Sequence, residues 1–87
     1  MNPLNSTYIS TATTTTVKTG RGSLARIVIG ETAAGTITIY DNTSAAGTVL
    51  AAFKASVVEG SYEIGCRFQT GLTVVTGGAS KVSVIWE

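Results

Sequence analysis

The sequence contains few of the side chains that active sites and metal sites require. Its 87 residues include no histidine, one cysteine and only five acidic side chains. A single cysteine, Cys66, excludes a disulfide within the chain, and the remaining side chains are too few and too scattered for a metal site. No nucleophile and base can be paired along the chain. We therefore expect a protein that is not an enzyme and that has no catalytic residue, metal or cofactor.

Charge is also scarce. Charged residues make up 13% of the chain and the formal net charge is +1, with the lysines and arginines spread singly. No basic block points to nucleic acid or to a membrane surface. No apolar run approaches the roughly 20 residues of a membrane span. The first residues, MNPLNSTYIS, lack the charged and apolar segments of a signal peptide. We expect a protein made in the cytoplasm, without a nucleic-acid or membrane partner.

Proline is nearly absent as well, and most of the chain shows the alternation of apolar and polar residues that is typical of β-strands. The one proline is Pro3, so no predicted strand is interrupted. Apolar and polar residues alternate with period two, and small-residue turns recur at intervals of roughly 8–12 residues. A doubled phrase, TAAGT at 32–36 and SAAGT at 44–48, starts two such strands. The pattern predicts an all-β, single-domain antiparallel sandwich of the jelly-roll type with seven or eight strands.

The alternation also predicts which side chains face inward. Ile37 and Ile39 should point into the core, and so should Val82, Val84 and Trp86 near the end of the chain. Residues 24–29 are apolar on both faces apart from an arginine. There, strict alternation places Leu24 and Val28 on the face opposite Ala25, Ile27 and Ile29.

The N-terminal region differs in composition from the rest. Residues 1–18 are rich in threonine and poor in large apolar side chains, which predicts an arm or an edge strand, with residues 19–87 as the sandwich core. A chain of this length buries a thin core of its own. Since disulfides and metals are excluded, we expect added stability from self-association.

Other candidate sites favour a structural interpretation. Cys66 shares a strand face with Ile64 and Phe68, which predicts a buried, inert thiol. Three of the carboxylates, Asp41, Glu59 and Glu63, could be paired for acid–base or calcium chemistry, but they lack the spacing of a ligand loop. The glycine pairs precede no helix, so they predict turns and not phosphate-binding loops. The aromatic residues Tyr8, Tyr40, Tyr62 and Trp86 would form a sugar-binding surface only if they were exposed.

Three segments resemble small structural proteins of tailed phages and prophages. They are the L-x-x-I-V-I strand at 24–29, the TITIYDNTSAAGT hairpin at 36–48 and the F-x-T-G-L-T-V-V-T-G segment at 68–77. The resemblance covers about residues 13–87. It implies a non-enzymatic virion protein, most specifically a capsid decoration (cement) protein on the head exterior that bridges major capsid subunits.

The resemblance further implies a homotrimer on the capsid surface of the virion, with the major capsid protein or other virion proteins as partners. Two alternatives remain open: a head-tail, tail or fibre-base component, and a carbohydrate-binding adhesion module. The segment from Asn2 to Lys18 is the predicted bridging element. The residues predicted to line the interface with other copies or with the capsid are Leu4, Tyr8, Ile9, Leu24, Val28 and Tyr40.

Overall fold

The computed structural model describes residues 4–87, which form eight β-strands. The first four strands are β1 (Asn5–Ile9), β2 (Thr14–Thr19), β3 (Gly22–Glu31) and β4 (Ile37–Asp41). The other four are β5 (Thr48–Phe53), β6 (Gly60–Phe68), β7 (Gly71–Thr76) and β8 (Lys81–Trp86). Within the described residues there is no helix.

The strands form two four-stranded antiparallel sheets. Sheet A has the order β1-β8-β3-β6 and sheet B the order β2-β7-β4-β5. This interleaved order is that of a jelly roll, in which the chain passes repeatedly from one sheet to the other. The predicted all-β antiparallel sandwich is therefore confirmed. Only β4 and β5 are consecutive strands that pair with each other, and they form the predicted hairpin.

The core lies between the two sheets and consists of branched aliphatic side chains with one phenylalanine. Sheet B contributes Ile37 and Ile39, and sheet A contributes Val82 and Val84, all four as predicted. The remaining buried apolar side chains are Ile9, Leu24, Ile27, Ile29, Val57, Phe68, Leu72 and Val74. Alternation along the strands brings these residues to the inner face because successive side chains point to opposite sides of a sheet.

The prediction for Leu24 is wrong because β3 contains a bulge. Leu24 and Arg26 pair with Trp86 and Ile85, which are consecutive residues of β8, so that Ala25 is an extra residue in β3. An extra residue reverses the facing of all residues before it. Leu24 consequently joins Ile27 inside the core, fully buried. Val28, which lies beyond the bulge, remains on the outer face and is half-buried.

The N-terminal strands are the edges of the two sheets. β1 pairs with β8 at the edge of sheet A, and β2 pairs with β7 at the edge of sheet B. Buried Thr76 fastens the connection between them, since its hydroxyl donates to Thr11 O at 2.6 Å and accepts from Thr13 N at 3.1 Å. Residues 1–3, the start of the predicted arm, lie outside the described residues.

The loop between β3 and β4 packs directly on the turn between β7 and β8. A Cβ atom on Gly35 would overlap the backbone of Gly77 and Gly78. The two turns can approach this closely only because residue 35 has no side chain. Gly30, in contrast, lies in an open position on β3, where the nearest atom to an added Cβ would be Lys81 O at 3.8 Å.

This contact predicts different effects for two glycine substitutions. Gly35→Ala should lower the free energy of unfolding by about 1–3 kcal/mol because backbone atoms must shift to admit the methyl group. Gly30→Ala should change it by less than about 0.5 kcal/mol. Urea unfolding followed by circular dichroism measures both, and equal midpoints for the two variants would contradict the packing described.

Candidate functional site

The structure separates the six predicted interface residues into three groups. Tyr8 and Leu4 are exposed, with 61% and 42% of their surface accessible. Val28 and Tyr40 are half-buried on outer sheet faces. Ile9 and Leu24 are 4% and 0% exposed, so the prediction of an interface role for these two is corrected: they pack in the core of their own chain and present no surface to a partner.

The outer face of sheet A carries ion pairs. Arg26 Nε lies 3.0 Å from Glu63 Oε1, joining β3 to β6. Lys81 Nζ lies 3.1 Å from Glu31 Oε2, joining β8 to β3. All four side chains are 40% exposed or more, so each pair contributes little to stability. Their effect is to keep this face charged and hydrated.

The outer face of sheet B is different because no charged residue occupies its outward strand positions. Register places Thr38 beside Val75 and Ala52, and Tyr40 beside Thr73 and Val49. We call this surface the threonine face; its members are Thr14, Thr16, Thr38, Tyr40, Val49, Ala52, Thr73 and Val75. Val49 is half exposed and Ala52 is exposed. The face combines small hydroxyl and apolar groups without any charge to hydrate.

The loop between β4 and β5 covers one end of the threonine face. Thr73 lies under this loop and is fully buried, and its hydroxyl donates to Asn42 O at 2.7 Å. On the edge strand, Thr16 donates in the same way to Thr43 O at 3.2 Å. Beyond this loop, the row of Thr14, Val75, Thr38 and Ala52 runs across all four strands and is open to solvent; we call it the open row.

The carboxylate of Asp41 binds the turn that carries the chain from sheet A to sheet B. Its Oδ1 accepts hydrogen bonds from the backbone N–H groups of Gln69 and Thr70 at 2.9 Å each, and from Gly71 at 3.4 Å. The Thr70 hydrogen bond is the main cause that lowers the pKa of Asp41, while partial desolvation acts in the opposite direction. Asp41 therefore has a structural role at the end of β4.

Cys66 lies on the inner side of β6, half-buried and packed against the core. Desolvation is the larger cause that raises the pKa of its thiol, and the negative charge of Asp41 adds to it. A raised pKa lowers the fraction of reactive thiolate.

The aromatic side chains do not form one exposed surface. The rings of Tyr62 and Phe53 pack edge to face with centroids 5.1 Å apart, and the Tyr62 hydroxyl donates to Val58 O. Trp86 Nε1 donates to Thr7 Oγ1 at 3.1 Å, and Lys18 Nζ lies 5.5 Å from the centre of its ring. Trp86 and Tyr62 are thus engaged within the chain and do not join Tyr8 and Tyr40 in one exposed aromatic surface.

Residues 4–87 contain neither a metal-binding cluster nor a membrane-spanning helix. This part of the chain holds no group of three or more histidine, cysteine or acidic residues that could bind a metal ion. It also has no helix of the length and apolarity needed to cross a membrane.

The comparisons with known proteins concern the fold. No family model matches the chain, and no curated protein matches it. Among solved structures, the core of Drosophila NLP, described as forming pentamers and binding histones, has the same fold with a TM-score of 0.62. The match covers 99% of this chain and 97% of that one at 10% sequence identity. At this identity the likeness shows the fold alone.

The phage interpretation is wrong in the light of this relationship. The solved structure that shares the fold is the core of a histone-binding protein, and nothing in the comparisons points to a phage protein. The predicted role as a decoration protein is therefore wrong, and so are the tail-related and carbohydrate-binding alternatives. The homotrimer, the capsid partners and the location on a virion surface are also overturned, since the matching protein forms pentamers and binds histones. A jelly-roll pattern of short alternating strands occurs in unrelated proteins, so the three resembling segments reflected the fold.

The Asp41 contacts predict a specific dependence of stability on pH. Because the folded pKa of Asp41 is depressed, its contribution is fully present above the ordinary carboxyl value of about 4. The contribution is lost as the pH falls below that value and through the lower folded pKa. Asp41→Asn should therefore lower Tm at neutral pH and flatten the loss of Tm on acidification.

Thermal unfolding by circular dichroism between about pH 7 and about pH 2 measures this difference. Glu63→Gln is the matched control, since it removes one carboxylate from an exposed ion pair and should have little effect at neutral pH. If both variants followed the same pH profile as the unmodified protein, the anchoring role of Asp41 would be refuted.

Proposed function

We propose that this chain is a non-enzymatic, self-associating β-sandwich module that forms a ring of five subunits. The observation that carries the proposal is the threonine face of sheet B. Depletion of charged residues is the compositional mark of the central part of protein interfaces. Burying this face would require the desolvation of no ionised group.

The contrast between the two outer sheet faces supports the choice of surface. Sheet A presents the Arg26–Glu63 and Lys81–Glu31 pairs, which would lose hydration in an interface. The open row of the threonine face presents Thr38 and Val75 at its centre and exposed Thr14 and Ala52 at its ends. A second copy of the chain, with equally little charge, is a suitable occupant for this row.

The number of five subunits is taken from the Drosophila NLP core. That protein is described as pentameric, and the two chains cover each other almost completely. Rotational symmetry lets one pair of surfaces join every subunit to the next, which closes a ring. Association would also extend the thin core of an 87-residue chain.

Histone binding is not part of the proposal, because the charges of this chain do not suit a basic partner. Its acidic residues already bind groups of their own chain. Glu31 and Glu63 form ion pairs, Asp41 binds three backbone N–H groups, and Glu59 accepts from Thr32 N at 3.2 Å. No acidic patch exists among residues 4–87 to attract a cationic protein.

The non-enzymatic part of the proposal rests on the side chains present. The chain has no histidine, and the pKa of its one thiol is raised. The carboxylate with a lowered pKa, Asp41, is held by backbone hydrogen bonds at a turn. None of these groups forms a nucleophile–base pair.

A lysine placed on the threonine face should disrupt assembly. Thr38→Lys puts a charge at the centre of the open row, where burial in an interface costs several kcal/mol. At concentrations at which the unmodified protein is a pentamer, this variant should have the mass of a single chain. Light scattering after gel filtration measures the mass, and circular dichroism checks that the variant folds.

Ser61→Lys is the matched control because Ser61 is an exposed serine on β6, opposite Val28 on the outer face of sheet A. This variant should remain pentameric. If Ser61→Lys dissociated the assembly while Thr38→Lys did not, the interface would lie on sheet A and the proposed surface would be refuted.

A further inference from the structure

Two arginines meet at one end of the sandwich. Arg21 lies in the turn between β2 and β3, and Arg67 is the penultimate residue of β6. Both line a surface pocket with a volume of about 370 Å³, which falls in the size range of small-molecule sites. The other lining residues are Gly22, Ser23, Phe68 and Gln69.

Neither arginine of this pocket forms an ion pair within residues 4–87. Of the six cationic side chains, Arg26 and Lys81 form ion pairs and Lys18 lies over the Trp86 ring. The pocket lining contains no carboxylate side chain, although the carboxylate of Asp41 binds the backbone of Gln69 and the backbone of Glu87 pairs with that of Ser23. Both arginines line the same cavity, and their positive charge attracts an anion.

The walls of the pocket are fixed by backbone contacts. Gly20 N donates to Thr70 O at 2.9 Å, which ties the turn bearing Arg21 to the turn between β6 and β7. That second turn is held by Asp41, which accepts from the backbone of Gln69. On the other side, Ser23 pairs directly with Arg67 across β3 and β6. A site on rigid elements loses little conformational entropy when a ligand binds.

The inner end of the pocket is closed by the backbone of Gly22. A Cβ atom at this position would lie 2.6 Å from Cζ of Phe68 and 2.5 Å from Glu87 O. The missing side chain lets the fully buried phenylalanine ring pack directly beneath this strand, so residue 22 lines the pocket with backbone alone. The Ser23 hydroxyl and the Gln69 amide add hydrogen-bonding groups at the rim.

We propose that this pocket binds an oxyanion, a carboxylate or phosphate group. Guanidinium groups match the two oxygens of such anions with paired hydrogen bonds. The anion comes either from an acidic segment of a protein partner or from a free small molecule. The pocket lies within one chain and away from the threonine face, so the site does not depend on the proposed pentamer.

Titration of the 15N-labelled protein, followed by amide NMR shifts, tests this site at constant ionic strength. The probes are inorganic phosphate, phenyl phosphate and a short acetylated peptide rich in glutamate, with sodium chloride as the reference. We expect saturable shifts at Ser23 and Gln69 with both phosphates and none with chloride, because the paired oxygens of a phosphate match a guanidinium group. A peptide that binds more tightly than phenyl phosphate would assign the anion to a protein partner, and the reverse order would assign it to a small molecule.

Variants of the arginines give the decisive comparison. Arg67→Gln and Arg21→Gln should each weaken binding about tenfold or more, because each removes one guanidinium from the anion. Lys54→Gln removes the same charge from an exposed position outside the pocket and should change affinity less than about twofold. Equal weakening by all three variants, or shifts that no probe saturates, would overturn the proposal. Neither result depends on the oligomeric mass of the protein.

Discussion

The thin apolar layer between the two sheets is the constraint on which the rest of the structure depends. A chain of 87 residues can bury only a few large side chains, and here the layer consists mainly of isoleucine, leucine and valine with one phenylalanine. The ends of the sandwich are therefore fastened by polar contacts. Asp41 holds the turn between β6 and β7 at one end, and Thr76 holds the connection between β1 and β2. Gly35 lets two loops pack against each other.

The hydrogen bonds of Asp41 and of the loop that follows it also position residues of the proposed sites. The turn that Asp41 holds also carries Gln69 at the rim of the arginine pocket. The loop that follows Asp41 covers one end of the threonine face through Asn42 and Thr43. In a protein with little charge, the placement of the few ionised groups decides which surfaces are hydrated and which are available for association. Sheet A keeps two ion pairs on its outer face, while sheet B keeps none.

The sequence predicted the architecture well because period-two alternation and small-residue turns are local signals. Ile37, Ile39, Val82 and Val84 face inward as their alternation predicts. Leu24 does not follow the pattern, since a bulge at Ala25 depends on how β3 pairs with two strands distant in sequence. The functional surfaces were harder to predict for the same reason. Arg21 and Arg67 are 46 positions apart, and only the strand order places them at one pocket. A resemblance based on short strands gave a wrong family because such strands are shared by many unrelated sandwiches.

The central claim is that the uncharged face of sheet B joins five copies of the chain into a ring. Native mass spectrometry of the unmodified protein tests it most directly, because the number of subunits in each species is read from its mass. The account predicts a dominant species of five chains that persists on dilution into the low micromolar range. A spectrum dominated by single chains, or by any closed assembly of another number, would contradict it.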